Sequence, residues 1–82
     1  MNLILSKDAS KQYQRLPKVD QTKVYKKLTI LQQHPYEGKK LAGELEKIRS
    51  LRAWPYRILY EINEKKKTIA VHKIAHIQGA YK

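Results

Sequence analysis

The chain has no cysteine among its 82 residues. Disulfide bonds, thiolate catalysis and cysteine-ligated zinc are therefore excluded. The absence also fits a reducing cytoplasm, which is the location we expect. Long hydrophobic runs are missing too, because the apolar run at 3–5 is far too short for a signal peptide or a membrane span. We therefore expect no membrane association.

Acidic residues are scarce, with 7 Asp and Glu against 18 Lys and Arg, a formal net charge of +11 and a pI of about 10.0. So much positive charge on so small a chain predicts a polyanionic partner, either nucleic acid or an acidic protein surface. A basic surface with no partner is the alternative. The length fits one domain over residues 1–82 with a thin core, and we find no repeat, linker or low-complexity segment.

The first half of the chain predicts a strand and two helices. Residues 2–5 read as a short edge strand, and Ser6 or Asp8 can cap a helix that Pro17 interrupts. A second helix is predicted from Lys18 to His34, followed by a loop at 35–38. The short connection predicts an antiparallel helical hairpin. Its buried stripes are expected to contain Ala9, Tyr13 and Leu16 on one helix and Val24, Tyr25, Leu28 and Leu31 on the other.

The second half predicts three strands. Apolar and polar side chains alternate imperfectly over residues 45–54, which predicts a strand, and Pro55 marks a turn. Residues 56–62 are rich in aromatic and β-branched side chains, which predicts a second strand. A polar turn at 63–66 leads into a strand over 68–77. The sequence therefore predicts a two-layer α+β sandwich: an N-terminal strand, a two-helix hairpin, and a three-stranded antiparallel meander with the hairpin on one face.

Basic and proton-transferring side chains gather in this second half. Guanidinium groups match phosphate oxygens in pairs of hydrogen bonds, while imidazole and phenol can move protons. The side chains in question are those of Arg49, Arg52, Arg57, His76 and Tyr81. They could form a site for a phosphodiester or a site for an acidic protein. Strand alternation would place His72 and His76 on one face about 13 Å apart, too far for a shared metal. We expect no metal and no cofactor.

Two segments resemble the RelE/ParE superfamily of toxins from type II toxin–antitoxin systems. Residues 51–62, LRAWPYRILYEI, are similar to that family's pattern L-R-x-x-x-Y-R-[IV]-[ILV]-Y-x-[IV]. Residues 74–82, IAHIQGAYK, look like its ending, [IV]-x-H-R-x-x-x-Y. Length and element order also fit, so the resemblance covers essentially the whole chain.

The resemblance implies three alternative functions. RelE-like toxins enter the ribosomal A site and cleave mRNA without a metal, through attack by the 2′-hydroxyl. ParE-like toxins share the fold but poison DNA gyrase. A catalytically dead member would mainly bind its antitoxin. The implied partners are a cognate acidic antitoxin, the ribosome with its mRNA, and operator DNA through the antitoxin.

The resemblance also implies roles for single residues. Arg57 would contact the scissile phosphate and stabilise developing charge, although an ion pair with Glu61 or Glu46 is the structural alternative. The implied catalytic set is Arg52, Arg57, His76 and Tyr81. The strand residues Lys47 and Arg49 and the helix residues Lys7, Lys11, Lys23, Lys26 and Lys27 are candidates for RNA binding. Alternation favours opposite faces for Arg49 and Arg52.

Three positions depart from the pattern. Some efficient nucleases of the family carry two basic residues on the Arg52 face, where alternation here puts Ile48 and Ser50. Ile77 stands where the family has arginine. These departures argue against strong nuclease activity and leave antitoxin binding untouched. Trp54 and Tyr56 could stack on bases, but core packing is favoured for both.

Overall fold

A computed structural model describes residues 1–41 and 47–77. The elements are β1 (Asn2–Leu5), α1 (Lys7–Arg15), α2 (Lys18–Gln33), β2 (Lys39–Lys40), β3 (Ile48–Ala53), β4 (Tyr56–Asn63) and β5 (Thr68–His76). The strands form one sheet in the order β1-β5-β4-β3-β2. The predicted α+β class is confirmed.

The predicted meander is present, because β3, β4 and β5 pair antiparallel in sequence order. The N-terminal strand lies at the sheet edge, as predicted, and pairs parallel with β5. The strand β2 was not predicted. It is two residues long and pairs Lys39 with Ser50 on β3. Two lysines carry no strand pattern, so only the neighbouring strand reveals this pairing.

The start of α1 shows how the helices are fixed to the sheet. Of the two predicted caps, Ser6 is used: its hydroxyl accepts a hydrogen bond from the Ala9 amide at 3.0 Å and donates one to the His72 carbonyl at 2.8 Å. The first bond satisfies an amide that the helix leaves open. The second ties α1 to β5.

The core lies between the two helices and one sheet face. It contains Ala9, Val24, Leu28 and Leu31 from the helices and, from the strands, Leu51, Ala53, Ile58, Tyr60, Ile69, Val71 and Ile74. The predicted burial of Tyr25 is wrong, because 62% of this residue is exposed. At 3.6 residues per turn Tyr25 lies roughly 90° from the centre of the buried stripe, at its solvent boundary.

The opposite sheet face is called the open face here, because α1 and α2 both pack on the core side. A bulge in the β4–β5 pair interrupts the alternation of β5. It places His72 on the open face, with Nε2 3.4 Å from Glu61 Oε1, whereas His76 pairs with Tyr56 on the helix side. The prediction that His72 and His76 share a face is therefore wrong.

Within the described ranges, no helix is long and apolar enough to cross a membrane.

Candidate phosphate-binding site

Two arginines lie directly opposite each other on the open face. Arg52 of β3 pairs with Arg57 of β4, and the neighbours of Arg57 on β4, Tyr56 and Ile58, turn towards the helices. Alternation therefore sends both guanidinium groups to the open face. Arg52 is exposed, and Arg57 is half-buried.

Ser50 holds one of these guanidinium groups in place. Arg57 Nη1 donates to Ser50 Oγ at 3.3 Å, and only 7% of Ser50 is exposed. Ser50 and Ile48 pair with Leu59 and Glu61, on the face of Arg52, so their predicted placement is confirmed. Ser50 thus orients Arg57 and adds no charge of its own.

Two lysines that the sequence analysis did not single out also belong to this face. Lys39 pairs with Ser50, and Lys73 pairs with Leu59 across the β4–β5 ladder. Both are exposed. Only the strand register brings them beside Arg52 and Arg57, so no pattern within one segment of the sequence could have identified them.

Arg49 lies on the other face, as alternation favoured. It pairs with Tyr60, its Nη1 donates to the Gly38 carbonyl at 2.8 Å, and its Cζ lies 4.9 Å from the centre of the Tyr36 ring. These contacts bind Arg49 to the loop that follows α2. Together with the exposed Lys47 it borders a cleft beside Tyr36, apart from the Arg52–Arg57 pair.

His76 occupies the end of β5 on the helix side. Its ring meets that of Tyr56 nearly edge-on, with centroids 5.4 Å apart and an interplanar angle of 84°. Tyr56 Oη donates to Asp20 Oδ2 at 2.9 Å. Burial, followed by this bond to Asp20, raises the pKa of the Tyr56 phenol, so the phenol is neutral at physiological pH. The structure therefore does not bring His76 to the face of Arg57; Tyr81 lies outside the described residues.

Trp54 is 65% exposed in the turn between β3 and β4, so the expectation of core packing is wrong for this residue. Tyr56 is half-buried against the core and fits that expectation. The candidate RNA-binding lysines of the helices lie on the layer behind the sheet. They are Lys7, Lys11, Lys23 and Lys26, which are exposed, and Lys27, which is half-buried.

The site is therefore a cationic surface on an open sheet face. Arginine forks and lysine ammonium groups there can bind phosphates or carboxylates. Among residues 1–41 and 47–77, no three His, Asp or Glu side chains gather in a way that would hold a metal ion.

The fold is that of the small toxins of type II toxin-antitoxin systems. The family model of the ParE toxin of type II toxin-antitoxin system, parDE, matches residues 3–81, so the chain belongs to this family. The resemblance found in the sequence is confirmed. No curated protein sequence matches the chain.

Solved structures agree on the fold. The chain is similar to a chain of the toxin-antitoxin complex RelBE2 from Mycobacterium tuberculosis, with a TM-score of 0.84, 26% identity, and coverage of 92% of this chain and 95% of that one. For the isolated RelE toxin of E. coli the TM-score is 0.81 at 23% identity, covering 98% and 87%. For the YoeB/ParE toxin from Agrobacterium tumefaciens the TM-score is 0.81 at 18% identity, and the match covers 93% of this chain and 98% of that one.

Proposed function

We propose that this toxin is a RelE-like, ribosome-dependent endonuclease that cleaves mRNA. The observation that carries the proposal is the Arg52–Arg57 pair on the open face. Two opposed guanidinium groups, one of them oriented by Ser50, form a preorganised site for a phosphodiester.

The reaction would use the RNA's own 2′-hydroxyl. Its oxygen bonds to the adjacent phosphorus, the bond to the 5′ oxygen breaks, and the products are a 2′,3′-cyclic phosphate and a 5′-hydroxyl. One proton leaves the 2′-hydroxyl and one reaches the departing oxygen. Arg57 and Arg52 would hold the non-bridging oxygens and stabilise the charge of the phosphorane.

Proton transfer is assigned to His76 and Tyr81. An imidazole suits this role because its two ring nitrogens can donate and accept protons. His76 lies around the end of the sheet from Arg57, so the mRNA would have to bend over that end to meet both. The ribosome would hold the mRNA in such a bend, which explains why free RNA should be a poor substrate.

An acidic antitoxin is the expected partner in the cell. Relatives of the same fold occur in complexes such as RelBE2 of M. tuberculosis and RelBE of E. coli. With a net charge of +11, the surface would attract an acidic segment across Arg52 and Arg57 and lose that attraction in salt. Operator DNA would be reached through the antitoxin.

The test is single-turnover cleavage of mRNA on programmed ribosomes, mapped by primer extension. Arg57→Ala should lower the rate by about 10²–10³, by analogy with the loss of an oxyanion-hole donor. Arg15→Ala, an exposed arginine of α1, is the matched control and should cleave normally. A thermal melt checks that both variants fold. Equal cleavage by the folded Arg57→Ala variant would overturn the assignment.

Gyrase inhibition is the second candidate. The uncharged Ile48 and Ser50 beside Arg52, and the ParE family model, favour it. A supercoiling assay with purified gyrase separates the two functions. Loss of supercoiling without cleavage of ribosome-bound mRNA would replace the nuclease proposal.

A further inference from the structure

The register of the sheet forms a row of residues across four strands of the open face. Lys39 on β2 pairs with Ser50 on β3, Ser50 pairs with Leu59 on β4, and Leu59 pairs with Lys73 on β5. We call Lys39 and Lys73 the flanking lysines, because they close this row at both ends. Both side chains are exposed, and the residues between them are uncharged.

The flanking lysines bracket the arginine pair. Strands in a sheet are about 4.8 Å apart, so three strand gaps separate the lysine Cα atoms by about 14 Å. Arg52 and Arg57 lie two residues along their strands from Ser50 and Leu59, which is about 7 Å. Positive charge therefore crosses the sheet at strand spacing, from β2 to β5, with the two guanidinium groups near its middle.

Burial of the described residues does not account for the position of the flanking lysines, because both side chains are exposed. Like charges on one sheet face repel, and exposed lysines contribute little to packing. Glu61, an acidic residue of the same face, lies on the other side of the row, and its Oε1 is 3.4 Å from His72 Nε2. A polyanion spanning the face would offset this repulsion.

We propose that Lys39 and Lys73 bind the phosphates on either side of the one held by Arg52 and Arg57, so that single-stranded RNA crosses the open face from β2 to β5. The inference rests on the proposed function in taking RNA as the ligand. It adds two binding residues and a direction, since the backbone would run across the strands. Lysine contacts to phosphate carry no base specificity, so binding should be independent of sequence.

The experiment measures binding of a fluorescently labelled uridine homopolymer to the full chain by anisotropy, over a series of salt concentrations. For single strands the slope of log affinity against log salt changes by about 0.7 for each phosphate contact. Lys39→Ala and Lys73→Ala should each reduce the magnitude of this slope by about 0.7, and the double variant should reduce it by about 1.4.

Two other lysines serve as matched controls. Lys40 neighbours Lys39 but pairs with Arg49 on the other face, and Lys65 lies in the exposed turn after β4. The Lys40→Ala and Lys65→Ala variants remove the same charge and should keep the slope of the parent protein. If they lower it as much as the flanking lysines do, the protein binds by net charge alone and the proposal is wrong.

A competitor decides between RNA and an acidic protein. Poly-L-glutamate at equal charge should displace the RNA much less well than unlabelled RNA does, if phosphates are the ligands. Equal displacement would overturn the RNA assignment. The result is independent of the cleavage test, because a lowered slope can occur even if Arg57→Ala leaves cleavage unchanged, and the reverse also holds.

Discussion

Arg52 and Arg57 occupy directly opposed positions on β3 and β4, both on the sheet face that the helices do not cover. Opposed like charges cost a β-sheet between about 0.2 and 1 kcal/mol. The bond from Arg57 to Ser50 fixes one group in the pair. Under the proposed function, an anion bound between the two guanidinium groups would offset this repulsion.

Replacing Arg52 should accordingly relieve repulsion. We expect Arg52→Gln to leave the free energy of unfolding unchanged or raise it by up to about 1 kcal/mol. Tripolyphosphate should raise the Tm of the parent protein more than that of the variant, because an anion stabilises the state that binds it. Differential scanning fluorimetry with and without the anion measures both effects.

Arg15→Gln provides the comparison, because Arg15 is an exposed arginine on α1. It should retain the full shift with tripolyphosphate. An equal shift for the parent protein and both variants would mean that the anion does not bind at the arginine pair.

Regular alternation explains why the faces of Arg52 and Arg57 were predictable. The extra residue of the bulge lies on β5, so β3 and β4 keep their alternation, and buried Ile58 sets the direction of its neighbour Arg57. The predicted face of His72 was wrong because a bulge shifts the alternation of side chains along β5 by one residue. The sequence of this segment contains no pattern that predicts a bulge. Lys39 and Lys73 join the site only through pairing between strands, which no single segment encodes.

The surroundings of Arg49 and Tyr60 show a second limit. Alternation favoured the correct face for Arg49, but not its bond to the Gly38 carbonyl, because that bond depends on the path of a loop. Tyr60 reads as a core residue of a strand. Its hydroxyl also accepts from the Gly38 amide and donates to the Pro35 carbonyl, both at 2.9 Å. Such loop contacts follow from tertiary structure alone.

These contacts make Tyr60 a test of how the loop is held. Tyr60→Phe keeps the ring but leaves the Gly38 amide without this acceptor, so it should lower the free energy of unfolding by about 1–3 kcal/mol. Gly38→Ala should also destabilise, because its Cβ would lie 2.5 Å from Tyr60 Oη and 3.0 Å from the Ser50 carbonyl oxygen. Urea unfolding measures both.

Tyr25→Phe is the control, since Tyr25 is exposed on α2 and its replacement should change the free energy of unfolding by less than about 0.5 kcal/mol.

Tyr60 also predicts a dependence of stability on pH. Burial raises the pKa of its phenol. A raised folded-state pKa gives stability that is complete below the unfolded value of about 10 and is lost as the pH rises through the folded value.

The free energy of unfolding should therefore fall less at alkaline pH in Tyr60→Phe than in the parent protein. Ultraviolet absorbance of phenolate should show that the variant has one fewer tyrosine with a raised pKa. If the tyrosine missing from the variant's titration is one that ionises near the unfolded value of about 10, Tyr60 ionises freely, against its burial.

Trp54 offers a direct probe of base stacking. It is the single tryptophan of the chain and lies exposed two residues beyond Arg52. Stacking on an aromatic side chain contributes about 1–3 kcal/mol per base. Binding of a uridine homopolymer should quench the fluorescence of Trp54, and Trp54→Ala should weaken binding by that amount without altering the Tm.

An abasic oligonucleotide of equal length isolates the contribution of the bases. It retains the phosphates, so it should bind without the quench. Tyr25→Ala, an equally exposed aromatic on the helix layer, should bind like the parent protein. A quench by the abasic strand would show that Trp54 senses binding without stacking.

Ile77 closes β5 against the turn that carries Trp54, since its amide donates to the Pro55 carbonyl at 2.8 Å. That bond uses the backbone, so Ile77→Arg retains it. An added guanidinium beside His76 would strengthen the charge at the end of the sheet. A gain of about 1.4 kcal/mol in transition-state stabilisation corresponds to about tenfold in rate.

We therefore expect Ile77→Arg to raise cleavage of ribosome-bound mRNA by about tenfold, measured as a single-turnover rate beside a thermal melt. Ile77→Gln supplies length and polarity without charge and should not accelerate cleavage. Ile77→Lys should give a smaller gain, because an ammonium group lacks the two-pronged fit to phosphate. If folded Ile77→Arg and Ile77→Lys both cleave no faster than Ile77→Gln, charge at this position does not limit the reaction.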